Sequence, residues 1–199
     1  MTKFRFILTT LSAVVFATSC SDDFVYVDSQ DVNSENYFNT ESDYQAALIG
    51  AYDLLQSTYI NVMLGEIASD NTLAGGENAT DVPGIQQVDD MIHTPNNQQL
   101  RDIWGWMFAG VNRANYILEF KDRLDFPNKP SVLAQARFLR AYYYFELVKW
   151  FGPVPLVVDQ RIQFGDQFNI DRTPVADVYT QIESDLIYAA DNLPYVQTQ

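Results

Sequence analysis

The chain has 199 residues, with 26 acidic side chains against 12 Lys and Arg, and a formal net charge of −14. That balance argues against nucleic acid, which needs a basic face, and against electrostatic docking on anionic lipid. The length is sufficient for one well-buried domain, and 13 Phe, 12 Tyr and 3 Trp supply ample apolar volume for its core.

Residues 1–19 read as a lipoprotein signal peptide. Lys3 and Arg5 make a positive start, and an apolar run from Phe6 to Ala17 follows, too short to cross a bilayer as a mature helix. Cys20 is the only cysteine, so no internal disulfide can form. It stands directly after Ala17-Thr18-Ser19, where a lipoprotein peptidase would cut and leave it as a lipidated N-terminus. Ordinary secretion also accepts Ala17 and Ser19, but it would leave a lone exposed thiol at the start of an exported protein. Cys20 is therefore the expected lipidation site. Each buried acyl CH₂ contributes about 0.8 kcal/mol, so two or three chains anchor stably.

Residues 20–39 read as a polar tether that begins to dock near Tyr37 and Phe38. Thr40 opens a helix, with Asp43 three residues on as a short-armed capping box. Its inner stripe is Tyr44, Leu48, Ala51, Leu55 and Tyr59. The short apolar piece from Val62 to Ala68 has no pattern that decides its state. Residues 69–97 then change character, with Gly75-Gly76, Pro83-Gly84, Pro95 and many Asp and Asn. This is a long loop, and loops beyond about 12–15 residues in compact domains are usually functional or disordered.

A helix is expected over 97–121, with Trp104, Phe108, Val111, Asn115 and Leu118 on one stripe. Gly105 and Gly110 both point to close approach of another helix. After a turn, the spacing predicts a central helix over 131–151, capped by Ser131 and stopped by Gly152 and Pro153. Ala134, Phe138, Ala141, Phe145 and Val148 form its core-facing stripe, and Leu139, Tyr142, Tyr143, Trp150 and Phe151 add apolar surface off it. That helix is expected to lie sandwiched between neighbours. A short extended segment over 154–158 and a loop follow. The last helix starts at Thr173-Pro174, threonine as cap, and carries Val178, Ile182, Leu186 and Ala189. Its stripe needs a partner, so residues 40–199 are expected to form the N-terminal helical part of a longer protein. The fold class is all-α: successive amphipathic helices with short turns fit a tetratricopeptide-like α-solenoid with long irregular loops.

Catalytic chemistry finds little support. His93 is the only histidine, so no His-rich metal site can form, and no Gly-x-Ser-x-Gly or Cys-x-x-Cys pattern exists. The adjacent Asp89 and Asp90 read as solvated surface rather than a glycosidase pair. The chain is therefore not expected to be an enzyme, and no cofactor is expected. Between Asp70 and Asp81 the loop offers oxygen ligands, with Gly75 sixth and Asp81 twelfth as in an EF-hand loop. Thr72 and Ala74 break that order where ligands should stand. Calcium at Asp70 and Asp81 is the one metal site the sequence leaves open.

The stretch AQARFLRAYYYFELVKWFGPVPLV, over 134–157, resembles the signature helix of the SusD/RagB family of surface lipoproteins. The start at Cys20, the segment WGWMFAGVNRANYIL over 104–118 and RTPVADVYTQIESDLIYAADNLP over 172–194 agree with that resemblance. It implies a right-handed array of tetratricopeptide-like repeats with a looped binding face. It also implies capture of a glycan or similar nutrient for a SusC-like, TonB-dependent transporter in the outer membrane. Ser21-Asp22-Asp23 resembles the acidic tag that sends such lipoproteins to the cell surface. The expected ligand contacts are Asp70, Asn71, Asn78, Asp81 and His93, from the part of the chain that corresponds to the binding face. No Trp or Tyr stands between Met63 and Trp104, so a stacking contact from this loop is not expected. The competing reading is an adaptor, a helical-repeat surface that docks partner proteins and holds no small ligand.

Overall fold

The computed structural model describes residues 36–78, 80–158, 160–163, 165–166 and 170–195. The expected signal peptide, Cys20 and most of the expected tether lie outside the described residues. The helical unit begins at Phe38, which is fully buried and packs its ring 4.6 Å from Tyr44, 4.7 Å from Tyr116 and 5.3 Å from Phe120. Docking of the chain at this point is thus secured by an aromatic cluster.

Helix α1 spans Glu41–Asp53 and starts as its sequence dictates. The Thr40 hydroxyl accepts from Asp43 N at 3.3 Å, and the Asp43 carboxylate accepts from Thr40 N at 2.7 Å. Tyr44, Leu48 and Ala51 are buried along it. It does not run straight to residue 59, as the pattern predicts. A 3₁₀ turn, Leu54–Thr58, interrupts it, and α2 follows over Tyr59–Ile67. Ser57 and Thr58 donate their hydroxyls back to the carbonyls of Leu54 and Leu55, both at 2.6 Å, which tightens the turn. The break leaves Tyr59 74% exposed rather than on an inner stripe. It also makes a helix of the undecided apolar piece, where Leu64 and Ile67 are buried.

The segment expected as one long loop contains a short helix, α3, Pro83–Asp89. Proline serves at its start because the first turn needs no N–H from it. Val88, 2% exposed, is its apolar anchor. Helix α4, Gln98–Glu119, is capped by Asn97, whose side chain accepts from Leu100 N at 3.2 Å. Ile103, Met107, Val111, Ala114, Asn115, Ile117 and Leu118 are buried, while Trp104 and Phe108 are half-buried. Gly110 is where the neighbouring helix comes close: a Cβ there would meet the Tyr143 ring at 2.5 Å. Gly105, expected to do the same, faces open space.

Helix α5, Lys129–Phe151, is the central one. It begins with Pro130 in its first turn, so Ser131 is not the cap; the Ser131 hydroxyl instead accepts from Gln135 Nε2 at 3.3 Å. Gly152, at φ +64°, ends it. Helices α1 and α4 cover one side of α5, and α6, Val175–Asn192, covers another. The expected sandwich is present, but the expected stripe is not all core. Ala134, Ala141 and Val148 are buried, whereas Phe138 and Phe145 are 41% and 39% exposed. The small residues are buried where α6 packs on α5, and Phe145 falls on the solvent edge of that seam. There Phe145 meets Tyr179 edge-on at 6.4 Å and carries the Lys149 ammonium over its face at 4.8 Å.

Thr173 does not cap α6. Its backbone N–H donates to Val154 O at 2.9 Å in an isolated antiparallel bridge, and Pro174 occupies the cap position. Val178, Ile182 and Ala189 are buried, so most of the α6 stripe is satisfied within this chain; Leu186 alone of the expected four is exposed, at 41%. The two helices are also locked electrostatically. Arg140, fully buried, donates Nε and Nη2 to the two oxygens of buried Asp185, each at 2.8 Å, and Nη1 to Asn115 Oδ1 at 2.8 Å. Asn115 passes the connection on to Val157 O at 3.0 Å.

The fold is all-α, a tetratricopeptide-like helical array in which α4 packs on α5 and α5 on α6. Among the described residues no helix is long and apolar enough to cross a membrane.

Candidate functional site

Two sequence-distant helix regions, the start of α4 and the end of α5, meet below the segment that follows α3. Between them lies a cleft of about 680 Å³. Trp104, Trp150 and Phe151 form its aromatic wall, Arg101 and Arg172 its cationic edge, and Met91, His93 and Pro95 its rim. Apolar walls with a few placed polar groups are the usual build of a small-molecule site. Trp104 is held in place by Phe108 at 4.7 Å and by Phe151 edge-on at 5.0 Å. The Arg172 guanidinium lies 5.7 Å from the Trp104 ring and donates to Pro153 O at 2.9 Å, which fixes it beside the end of α5.

The rim is held by hydrogen bonds that run back to α4. Asn97 caps α4 with its oxygen and donates its Nδ2 to Gly84 O at 2.8 Å and to Gln87 Oε1 at 3.2 Å. One 3% exposed side chain therefore ties α3 to the first turn of α4. Upstream, Ala74 N donates to Asp89 at 2.8 Å and Gln86 Nε2 donates to Asn78 O at 3.2 Å. Both ends of α3 use left-handed backbone at non-glycine residues, Val82 at φ +41° and Met91 at φ +55°. Such conformations persist where surrounding contacts over-determine them.

Of the five residues expected to touch ligand, His93 lies in the cleft. Asp70 and Asn71 are exposed just beyond Ala68, which lines it. Asn78 and Asp81 are engaged in the loop itself. Asn78 Oδ1 accepts from Thr80 N at 2.9 Å, and the Asp81 carboxylate accepts from the backbone N–H groups of Glu77 and Asn78 at 2.5 and 3.3 Å. Among the described residues no three His, Cys, Asp or Glu side chains converge as a metal site would require. Asp89 likewise holds Ala74 N rather than standing free.

Trp104, Trp150, Phe151, Arg101 and Arg172 were not anticipated as site residues. Trp104 reads in sequence as one more member of an inner helical stripe, and Trp150 as extra apolar surface. The available signal was that both tryptophans sit near ends of adjacent helices facing the polar loop. The missing aromatic contact of that loop is supplied from the helices beside it. A second hollow, of about 630 Å³, lies around Glu119, Arg161 and Gln163, with no aromatic ring among its described lining residues. Its arginine is committed internally, at 2.8 Å from Glu119 and 4.4 Å over the Tyr116 ring.

Residues 23–199 match the SusD-like family described as "Starch-binding associating with outer membrane", and the chain belongs to that family. It is 29% identical over 174 residues to the SusD-like protein P2 of Formosa agariphila, a match covering 82% of this chain and 33% of that protein. SusD-like protein P38 of the same organism is 25% identical, over 100% of this chain and 40% of its own length. Among solved structures, a laminarin-binding SusD-like protein is 29% identical at a TM-score of 0.73, covering 81% of this chain and 36% of that one. Surface glycan-binding protein A from Bacteroides uniformis is 28% identical at a TM-score of 0.66, covering 76% of this chain and 34% of that one. The match thus covers 33% to 40% of the length of these relatives.

Proposed function

We propose that this chain is the helical part of a surface lipoprotein, anchored through Cys20, that captures a glycan and delivers it to a SusC-like, TonB-dependent transporter of the outer membrane. The observation that carries the reading is the cleft, which sets Trp104 and Trp150 beside two guanidiniums and His93. Sugar rings present apolar C–H faces and polar edges, and this combination serves both. Family membership supports it, as do the laminarin-binding and surface glycan-binding neighbours. His93 is the inner contact of the expected five, with Asp70 and Asn71 as outer contacts, while Asn78 and Asp81 keep the loop in shape. Calcium at Asp70 would need its other ligands from backbone or ligand oxygens. No catalytic step is assigned.

Titration of laminari-oligosaccharides and other glycans against intrinsic tryptophan fluorescence tests the reading. Trp150→Ala is expected to weaken a bound glycan by about tenfold or more, equivalent to about 1.4 kcal/mol or more. A glycan held equally well by that variant would remove the cleft as its site. A chain that binds no glycan in any titration, yet docks a protein partner, would favour the adaptor reading.

A further inference from the structure

We infer that the glycan held in this cleft is anionic, bearing carboxylate or sulfate groups; the inference rests on the glycan reading above. In a chain with 26 acidic and 12 basic residues, a cation readily finds a carboxylate, and most of the described ones do. Arg113 pairs with Asp53, Lys129 with Asp125, Lys149 with Glu146, Arg161 with Glu119, and both Arg137 and Arg140 with Asp185. Arg101 and Arg172 form no ion pair among the described residues, and both line the cleft. Their internal partners are neutral. Arg101 donates to Gln98 Oε1, and Arg172 Nη1 donates to the carbonyls of Phe151 and Pro153. A guanidinium has five N–H donors, so each retains several for a ligand.

The hydrogen-bonding polarity of the lining points the same way. A neutral sugar offers hydroxyls that donate as well as accept, and it is best matched by carboxylates and amides alongside donors. The described lining of this cleft contains no Asp, Glu, Asn or Gln. Its charged side chains, Arg101 and Arg172, are donors only, the tryptophan indoles add N–H donors, and the lining side chains that can accept are His93 and Thr94, the latter already accepting from Asn96 N at 3.4 Å. A carboxylate or sulfate ester is an acceptor without a proton to place, and the planar guanidinium fork matches its oxygens two at a time. Nearby acids do not cancel the site. Asp102 accepts from Gln98 Nε2 at 2.5 Å, Asp89 accepts from Ala74 N at 2.8 Å, and neither they nor Asp70, Asp90 and Asp171 are among the lining residues, so Asp70 reaches a glycan only beyond the guanidiniums.

Four hexasaccharides titrated against the purified chain test this: hexagalacturonate, a sulfated carrageenan hexasaccharide, and the uncharged maltohexaose and laminarihexaose. At least one anionic hexasaccharide is expected to bind about tenfold or more tighter than either neutral one, and which anion binds identifies the group recognised. Arg101→Gln is expected to remove about tenfold of that affinity and so to narrow the ratio of anionic to neutral binding. Arg172→Lys, which keeps the charge without the fork, is expected to retain part of it. If a neutral hexasaccharide binds as tightly as the anions and Trp150→Ala abolishes it, the anion inference is overturned and the glycan reading stands. If anion binding is untouched by both Arg101→Gln and Trp150→Ala, it is not at this cleft and the inference fails. Lack of binding by both anions overturns the inference, whereas the glycan reading falls only if the wider titration also finds no ligand.

Discussion

Gly110 and Gly105 look alike in the sequence, each a helix-weakening residue inside α4 and each a plausible contact point. Their surroundings separate them. At Gly110 the missing Cβ is the space taken by the Tyr143 ring, and that ring is pinned because its hydroxyl donates to Ala51 O at 2.6 Å. The neighbour cannot give way, so Gly110→Ala is expected to cost about 1–3 kcal/mol through overpacking. At Gly105 nothing lies within 4 Å, and the residue is exposed. Gly105→Ala is expected to stabilise by about 0.5–1 kcal/mol, by reducing the entropy lost on folding. Urea melts of the two variants measure both signs. Equal stability of the two would show that α4 and α5 do not meet at Gly110 as described.

At the scale of the element, α5 inverts a simple amphipathic reading. Two aromatic rings stand half in solvent while Arg140 and Glu146 are buried. The arginine is tolerated because Asp185 on α6 and Asn115 on α4 satisfy its three nitrogens. Removing one partner leaves a buried charge, whereas replacing both leaves an apolar contact. Arg140→Met is therefore expected to cost about 3–5 kcal/mol, softened by Arg137, whose Nη1 lies 3.5 Å from Asp185. The double variant Arg140→Met, Asp185→Leu is expected to recover most of that loss. Phe145→Ala, by contrast, is expected to cost about 1 kcal/mol, because its ring is already 39% exposed. Chemical denaturation of the three proteins orders these effects, and a Phe145→Ala loss above that of Arg140→Met would reverse the assignment of the α5 faces.

For the whole molecule, stability is expected to fall at both pH extremes, for separate reasons. Glu119 is held below its ordinary value by its bond to Arg161, and Asp43 by the hydroxyl and N–H of Thr40. A depressed carboxylate contributes stability that is complete above its unfolded value, near pH 4, and that is lost as pH falls through the folded value. Burial acts oppositely on the tyrosines, raising Tyr143 above its ordinary range and Tyr144 to about 12. In the unfolded chain these phenols ionise near pH 10, so their contribution is complete below that pH and lost as pH rises toward about 12. Tyr144 has most at stake, since its hydroxyl both accepts from Val157 N at 2.8 Å and donates to Val157 O at 2.9 Å. Tyr144→Phe is expected to flatten the alkaline limb of a melting-temperature profile and leave the acid limb unchanged. An alkaline limb unaltered in that variant would assign the loss to other groups.

The all-α class, the capping box at Thr40, the Asn97 start of α4, the Gly152 stop of α5 and the buried spine Tyr44, Leu48, Val111 and Leu118 are legible in the order of residues alone. These depend on neighbours a few residues apart, through capping chemistry and the 3.6-residue period, which a linear pattern carries. The same is true of the family resemblance, which lay in contiguous stretches. Which of several apolar faces of α5 is covered is settled by packing, because α1, α4 and α6 compete for one helix and periodicity does not rank them. Packing likewise assembles the site. Arg101 and Trp104 come from the start of one helix, Trp150 and Phe151 from the end of another, and Arg172 from the loop after it. Each has an ordinary explanation where it stands in the chain. They become a cleft only when α4 and α5 pack side by side and Asn97 ties α3 against them, since contact between distant residues is fixed by packing and not by spacing.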